Sequence, residues 1–396
     1  MKKILVPRVR FKGFDEEWSE ERIENLSSFR RGSFPQPYGK EEWYNGVNLM
    51  PFVQVFDIGD DLKLESKTKQ KISLSAQRMS VFVKKGSVLV SLQGTIGRTA
   101  VSQYNSYIDR TILVFEGYKT KINKTFWAHI IKKKFQIESD NAPGAIIKTI
   151  TKEVLSNFQL LLPKYNEQQK IGKLLDQISN LISLEQSKLN KLKQLKQTLL
   201  QKMFPEHNSK KPRIRFKGFN EEWKEEKLDD IFKVITGGEP PKNYKNSKHP
   251  VGKYKYPIYS NGQEANAIWG FSDNYSINTE AITISSIGTI GFPVVRKMFF
   301  TPIIRLKTLL PYNKNMNINF LNLSVSQINF SFNQSGIPSM NSNQLKDNII
   351  LISRNFSEQQ KIGNFFSKID NLISLYHSKL NKLRQIKEAL LQKMFI

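Results

Sequence analysis

Cysteine is absent from the 396 residues, and histidine occurs four times, at positions 129, 207, 249 and 377. Without thiols there are no disulfides, no thiol nucleophile and no cysteine-type zinc site. Four scattered histidines supply neither the usual histidine-rich metal constellation nor an ordered Ser-His-Asp set. No apolar run reaches the length of about 18 residues that a membrane span needs. Residues 1–11 lack the apolar centre of a signal peptide, so a cytoplasmic protein without a membrane partner is expected. Acidic residues are few: 35 Asp and Glu stand against 61 Lys and Arg, a net charge of +26 with a pI near 9.9. That balance suits a phosphate-bearing partner such as nucleic acid.

Catalytic signatures are missing too. Gly94-Thr95-Ile96-Gly97 and its repeat at 288–291 lack the lysine of a phosphate loop and the Gly-x-Gly-x-x-Gly dinucleotide pattern, so they are expected to be strand-ending turns. Asp57, Asp60, Asp61 and Glu65 offer carboxylates, but the second half of the chain does not repeat them and a solvated face is expected. The run Lys132, Lys133 and Lys134 is weighed the same way, as a solvated face before a binding site.

What is present is duplication. Pro-Arg-Val-Arg-Phe-Lys-Gly-Phe at 7–14, followed by Trp18, returns as Pro-Arg-Ile-Arg-Phe-Lys-Gly-Phe at 212–219, followed by Trp223. Each phrase precedes a short amphipathic segment, 18–26 and 223–232, in which the tryptophan packs the start of a domain. Glu-Gln-Gln-Lys-Ile-Gly opens residues 167–172 and 358–363, and Leu-Gln-Lys-Met-Phe closes 200–204 and 391–395. Between these marks no proline occurs, and apolar residues fall at alternating three and four spacing. They are Ile171, Leu174, Ile178, Leu181, Leu192, Leu195 and Leu199 in one copy and Ile362, Phe365, Ile369, Leu372, Leu383, Ile386 and Leu390 in the other. Glu185 with Lys188, and Tyr376 with Lys379, interrupt the two stripes at the same point, and a parallel column of Leu175, Ile182, Leu189 and Phe366, Ile373, Leu380 widens them. Two helices of about 38 residues, each roughly 57 Å long, are predicted, paired antiparallel as a spacer.

The stretches between the landmarks differ in length and wording. Short strands are predicted at 47–55, 79–83, 87–92 and 111–115 with a helix at 126–134, and in the second half strands at 254–259, 281–285 and 302–306. Residues 205–212 form a polar linker, and the Asn-rich stretch 313–322 leaves boundaries open. One scaffold carrying two unlike middles is what a reader of two different targets needs.

On these motifs the chain resembles the specificity subunits of type I restriction-modification enzymes. The resemblance spans nearly all of the chain, with further support from Thr-Gly-Gly-Glu-Pro at 236–240 and Pro-Ile-Tyr-Ser-Asn-Gly at 257–262. The first half departs from that second pattern, with Trp-Tyr-Asn-Gly-Val at 43–47 and Phe-Asp-Ile at 56–58, so base contacts do not transfer between halves. The implied fold is mixed α/β (α+β) target-recognition domains joined by a long antiparallel two-helix coiled coil, with an internal pseudo-two-fold repeat. The implied domains are 1–165, a helix at 166–204, a linker and second domain at 205–355, and a helix at 356–396. The resemblance implies a non-catalytic subunit that reads a bipartite, gapped site in double-stranded DNA. It also implies docking of two modification (methyltransferase) subunits on the helix stripes, with two restriction subunits as optional further partners. S-adenosylmethionine, ATP and Mg then belong to those partners, and this chain has no cofactor and no metal of its own. Motif position puts DNA contacts near Gln93, Thr95 and Arg98 in the first domain and Tyr259, Asn261, Ser286 and Thr289 in the second. Two rivals remain: a structural scaffold that binds DNA by charge alone, and a self-contained methyltransferase or nuclease.

Overall fold

The computed structural model describes residues 5–140, 151–206, 209–262, 267–313, 315–334 and 336–396. Positions 207–208 of the expected linker and 314 of the Asn-rich stretch lie outside the described residues. The chain packs as two compact units, Met1–Gln186 with Lys379–Ile396, and Ser187–Ser378. Each long helix therefore contributes one part to each unit. Among the described residues no helix is long and apolar enough to cross a membrane.

The two proline-free stripes form 39-residue helices, Tyr165–Met203 and Phe356–Met394. In the first unit Ile171 and Leu175 share a core with Leu390, Met394 and Phe395. Further along, Lys379 donates to Glu185 (3.0 Å) and Arg384 to Gln186 (3.1 Å). The start of one helix thus meets the end of the other, an antiparallel pair. The second unit repeats the arrangement: Met203 and Phe204 share a core with Ile362 and Phe366. There Lys196 reaches Asp370 (2.5 Å) and Lys193 meets His377 (3.1 Å). The buried line runs through Leu175, Leu189, Phe366 and Leu380, the column that flanked the main stripe in the sequence. Of the main stripe, Ile171, Ile362 and Ile369 are buried, and Leu174, Ile178, Leu192, Phe365 and Leu383 are half-buried. Leu181, Leu195, Leu372 and Ile386 are exposed and lie outside the seam between the helices.

The duplicated phrases are the fastenings of each unit. Glu167 accepts two bonds from Arg10, and Glu358 two from Arg215. Gln168 accepts from the backbone of Asn123 and donates to the Pro163 carbonyl; Gln359 does the same with Asn317 and Ser353. Asn123 and Asn317 in turn cap the helices Lys124–Asp140 and Ile318–Val325 through the amides of Phe126 and Phe320. The glycine of each hexapeptide lets this cap approach: a Cβ on Gly172 or Gly363 would lie 2.2 Å from the cap's Oδ1. Lys170 and Lys361 stand 4.9 Å from the rings of Phe14 and Phe219. The opening phrase also satisfies a helix-end carbonyl, Val9 donating to Lys393 and Ile214 to Lys202. Trp18 and Trp223 are buried against Phe395 and Phe204, the packing role expected of them.

The segments after those tryptophans are not single amphipathic elements. Each is a strand, one helical turn and a second strand: Ser19–Arg22, Ile23–Leu26, Ser27–Arg31, and Lys224–Lys227, Leu228–Ile231, Phe232–Thr236. The first strand pairs antiparallel with Gln159–Leu162 or Ile349–Ile352, just before the long helix. The second strand edges a four-stranded antiparallel sheet. Its order is Ser27–Arg31, Ile112–Tyr118, Val88–Ser91, Thr99–Val101 in the first unit. In the second it is Phe232–Thr236, Lys307–Pro311, Ala281–Ser285, Gly291–Arg296. A smaller sheet follows in each unit, with one parallel pair: Met50–Val53 beside Ser106–Ile108, and Tyr256–Tyr259 beside Thr301–Pro302. The strand expected at 302–306 is a correction. Ile304 and Arg305 are left-handed (φ +51° and +60°), and their amides donate to the carbonyls of Gly238 and Gly237.

Candidate nucleic-acid interface

In the first unit the strand Val88–Ser91 turns at 92–98 and returns as Thr99–Val101. The Ser91 hydroxyl donates to the Thr95 carbonyl (2.5 Å) and accepts from the Arg98 amide (2.9 Å), and Gly97 donates to the Ser91 carbonyl. Gly94 and Gly97 are left-handed (φ +69° and +81°), conformations that side chains resist. These bonds fix the base of the loop and leave Gly94 and Thr95 exposed at its tip, with Gln93 half-buried beside them. Arg98 pairs with Asp60 at 3.0 Å.

The matching loop of the second unit, 286–290, is held by other means. Asn261 accepts from the Ser286 amide (2.8 Å) and the Ser285 hydroxyl (3.4 Å) and donates to the Ile304 carbonyl (2.5 Å). Ser286 is 1% exposed and its hydroxyl donates to the Arg305 carbonyl. Both residues brace the loop, Ser286 from within and Asn261 from a half-buried position, and Thr289, half-buried, holds the place equivalent to Thr95. Tyr259 is likewise a packing residue, its ring 3.9 Å from the Arg296 guanidinium and 5.7 Å from Phe300.

The other charged groups singled out in the sequence are engaged inside the first unit. Asp57 is buried, which pushes its pKa up, while its oxygens accept from the amides of Gln54 and Lys69. Lys132 donates to the Asp60 carbonyl, Lys133 to the Phe395 carbonyl, and Lys134 pairs with Glu138. Burial lowers the pKa of Lys132 and Lys133. Among the described residues no three His, Asp or Glu side chains are grouped to hold a metal ion.

A basic and aromatic edge in the second unit was not singled out. The Tyr244 ring lies 4.5 Å from that of Trp269, tilted by 46°, and Lys245 and Lys253 stand 6.0 and 5.4 Å from the Tyr254 ring. The alternation of Lys and Tyr along 242–256 was its visible signal. Mixed cations and aromatic faces are suited to phosphates and bases together.

The long helices carry a second surface. Leu181 and Leu184 with Ile386 are exposed in the first unit, and Leu372 and Leu375 with Leu195 in the second. These triplets match residue for residue at an offset of 191. Exposed leucines at helical spacing, repeated in both units, form a face to which another helix could pack.

The sequence model of the type I restriction modification DNA specificity domain matches residues 15–194 and again 220–385. Two proteins of Mycoplasma pneumoniae (strain ATCC 29342 / M129 / Subtype 1) named as type I specificity subunits are similar in sequence. S.MpnORF507P is 30% identical over 54% of this chain and 56% of its own length. S.MpnORF89P is 32% identical over 34% of this chain and 39% of its own length. The matched stretches therefore span about half, or less, of those relatives. In fold, the chain is similar to the crystal structure of a type I restriction-modification S subunit from M. genitalium, with a TM-score of 0.67 at 16% identity over 99% of both chains. It is also similar to a chain from a structural study of complex assembly and conformational transition in the type I R-M system, with a TM-score of 0.53 at 15% identity over 96% of this chain and 98% of that one.

Proposed function

The chain belongs to the type I restriction-modification DNA specificity family, and we propose that it reads a bipartite, gapped DNA address, one half-site per repeat, while its helices dock modification subunits. The observation that carries this reading is a repeated strand framework with unlike loops. Val90 opposes Leu113 in the first unit, and Ile284 opposes Lys307 at the same point of the second. The loops that leave this common framework share Gly-Thr-Ile-Gly but are fastened differently and differ on either side of it, Gln93 and Arg98 against Ile287 and Phe292, as two readers of two sequences require. Lysine and arginine would position the phosphates, and polar tips such as Thr95 and Thr289 would meet base edges. The paired helices would set the gap, since half-sites must lie on the right face of the duplex.

The matched leucine triplets support two docking faces, one for each of two modification subunits, with restriction subunits as further partners of the assembly. In this reading the chain acts in the cytoplasm and has no catalytic role. S-adenosylmethionine for adenine methylation, and ATP and Mg for translocation and cleavage, belong to the partner subunits. The test is co-expression with the modification partner followed by single-molecule methylome sequencing. One asymmetric gapped motif is expected, and exchange of residues 30–160 for another recognition domain should change one half of it. Methylation without sequence preference, or a change in both halves, would overturn the reading.

A further inference from the structure

One strand position is used in opposite ways by the two repeats. In the first unit Leu113 lies between Arg31 and Val90 on the flanking strands. In the second, Lys307 lies between Thr236 and Ile284. Leu113 is 1% exposed and part of the apolar core; Lys307 is 5% exposed. The framework thus folds with a leucine here, and the second unit buries an ammonium in its place, which is costly unless the charge is compensated.

The compensation within the chain is incomplete. The Lys307 ammonium donates to the hydroxyls of Thr236 (3.0 Å) and Ser342 (2.9 Å), which leaves its third N–H open. Among the described residues no carboxylate pairs with it, and the neighbouring charge is another cation, Arg305. Burial and then Arg305 lower its pKa, the mark of a charge short of an opposite one. The two hydroxyls lie 3.2 Å apart, so one donates to the other and the remaining O–H is free to turn outward. Thr236 and Arg305 are exposed, so two of the groups around the buried ammonium reach the surface. The first unit carries a cation on the neighbouring strand instead: Arg31, exposed, holds the register position of Thr236, its Nε donating to the Arg110 carbonyl.

We infer that Lys307, Arg305, Thr236 and Ser342 form a seat for one phosphate of the DNA backbone. This rests on the DNA-reading function proposed above and adds to it a sequence-independent anchor beside the loop 286–290, which Arg305 braces through its carbonyl. A bland alternative is that Lys307 only ties Thr236 to Ser342.

The two are separated by Lys307→Leu, which restores the residue type of the first unit, and by the surface variant Arg305→Gln, each made in the full chain. Binding of a duplex that lacks the address is followed by fluorescence anisotropy across a salt series. With a phosphate seat, Lys307→Leu unfolds at the same or a higher temperature. Both variants bind the duplex roughly three- to tenfold more weakly, with a salt slope shallower by about 0.9. A lower unfolding temperature for Lys307→Leu with unchanged salt slopes in both variants would establish the tie and overturn the seat. The methylome of the assembled variants keeps the two proposals apart. An intact gapped address with unchanged slopes refutes the seat alone, and shallower slopes without any gapped address refute the address reading alone.

Discussion

Arg10 grips Glu167 with two parallel bonds, Nε to Oε1 at 2.7 Å and Nη2 to Oε2 at 2.8 Å, and the carboxylate is 1% exposed. Arg215 and Glu358 repeat the grip in the second unit. The pair joins the opening phrase to the first turn of the long helix, where Gln168 and Gly172 then receive the Asn123 cap. Glu167→Gln leaves a largely buried guanidinium without its counter-charge, a loss of about 3–5 kcal/mol. Urea unfolding should register it, with faster hydrogen exchange along residues 5–18 than along 210–223. Replacing both partners, Arg10→Met with Glu167→Leu, should recover most of the loss. A single-variant cost below about 1 kcal/mol, the range of an exposed pair, would show that the ion pair does not hold the phrase.

Gly97 and Gly291 are the same glycine of the two loops, yet they tolerate a methyl group differently. Both are left-handed (φ +81° and +93°), so alanine costs about 1–2 kcal/mol at either. At Gly97 the new Cβ would also lie 2.8 Å from the Cβ of Phe135, whereas at Gly291 the nearest atom is the Phe330 ring at 3.4 Å. Gly97→Ala should therefore lower the unfolding temperature more than Gly291→Ala. Equal losses in thermal unfolding would mean that Phe135 yields at no cost.

The helices were legible because a repeated 3.6-residue stripe without proline admits one solution. Which column faces the partner was not, since the columns of Leu181 and Leu175 are both apolar and run side by side along the helix. Only the packed pair shows that the seam takes Leu175 and leaves Leu181 out. In the loops the difficulty was distance along the chain. Asn261 is fixed by the Ile304 carbonyl 43 residues away, inside a stretch whose Pro-Ile-Ile-Arg-Leu wording suits a strand. Nothing in that wording announces left-handed Ile304 and Arg305, because the cause is their amides' bonds to Gly238 and Gly237. Lys307 was hidden for a related reason: a lysine in a basic chain is expected in solvent, and only the register against Leu113 reveals it as a core position.

His129 carries a pH dependence with a definite sign. Burial, and then the charges of Lys387 and Lys132, hold its pKa at about 3, against an ordinary 6.5. The unfolded chain therefore takes up a proton below pH ~6.5 that the folded chain refuses. Its contribution to stability is intact above that value and is lost as the pH falls toward 3, at about 1.4 kcal/mol per unit. Lowering the pH from about 7 to about 5 should cost the native chain roughly 2 kcal/mol more than it costs His129→Gln. Urea unfolding of both at the two pH values checks this, and parallel losses would mean that the imidazole is charged in the fold.

Leu181, Leu184 and Ile386 in the first unit, and Leu372, Leu375 and Leu195 in the second, lie outside the helix seam, so removing them should not disturb either core. Exposed substitutions of this kind change stability by about 0.5 kcal/mol or less. If each triplet receives one modification subunit, Leu181→Glu with Leu184→Glu should leave thermal unfolding unchanged and remove one of two bound subunits. The matching change at Leu372 and Leu375 should remove the other. Buried carboxylates at a helix–helix contact are unpaired and costly, so binding on the altered side should fall by more than about tenfold. Native mass spectrometry of the co-expressed complex counts the subunits directly. Two subunits bound to either double variant would place the docking face elsewhere on the chain.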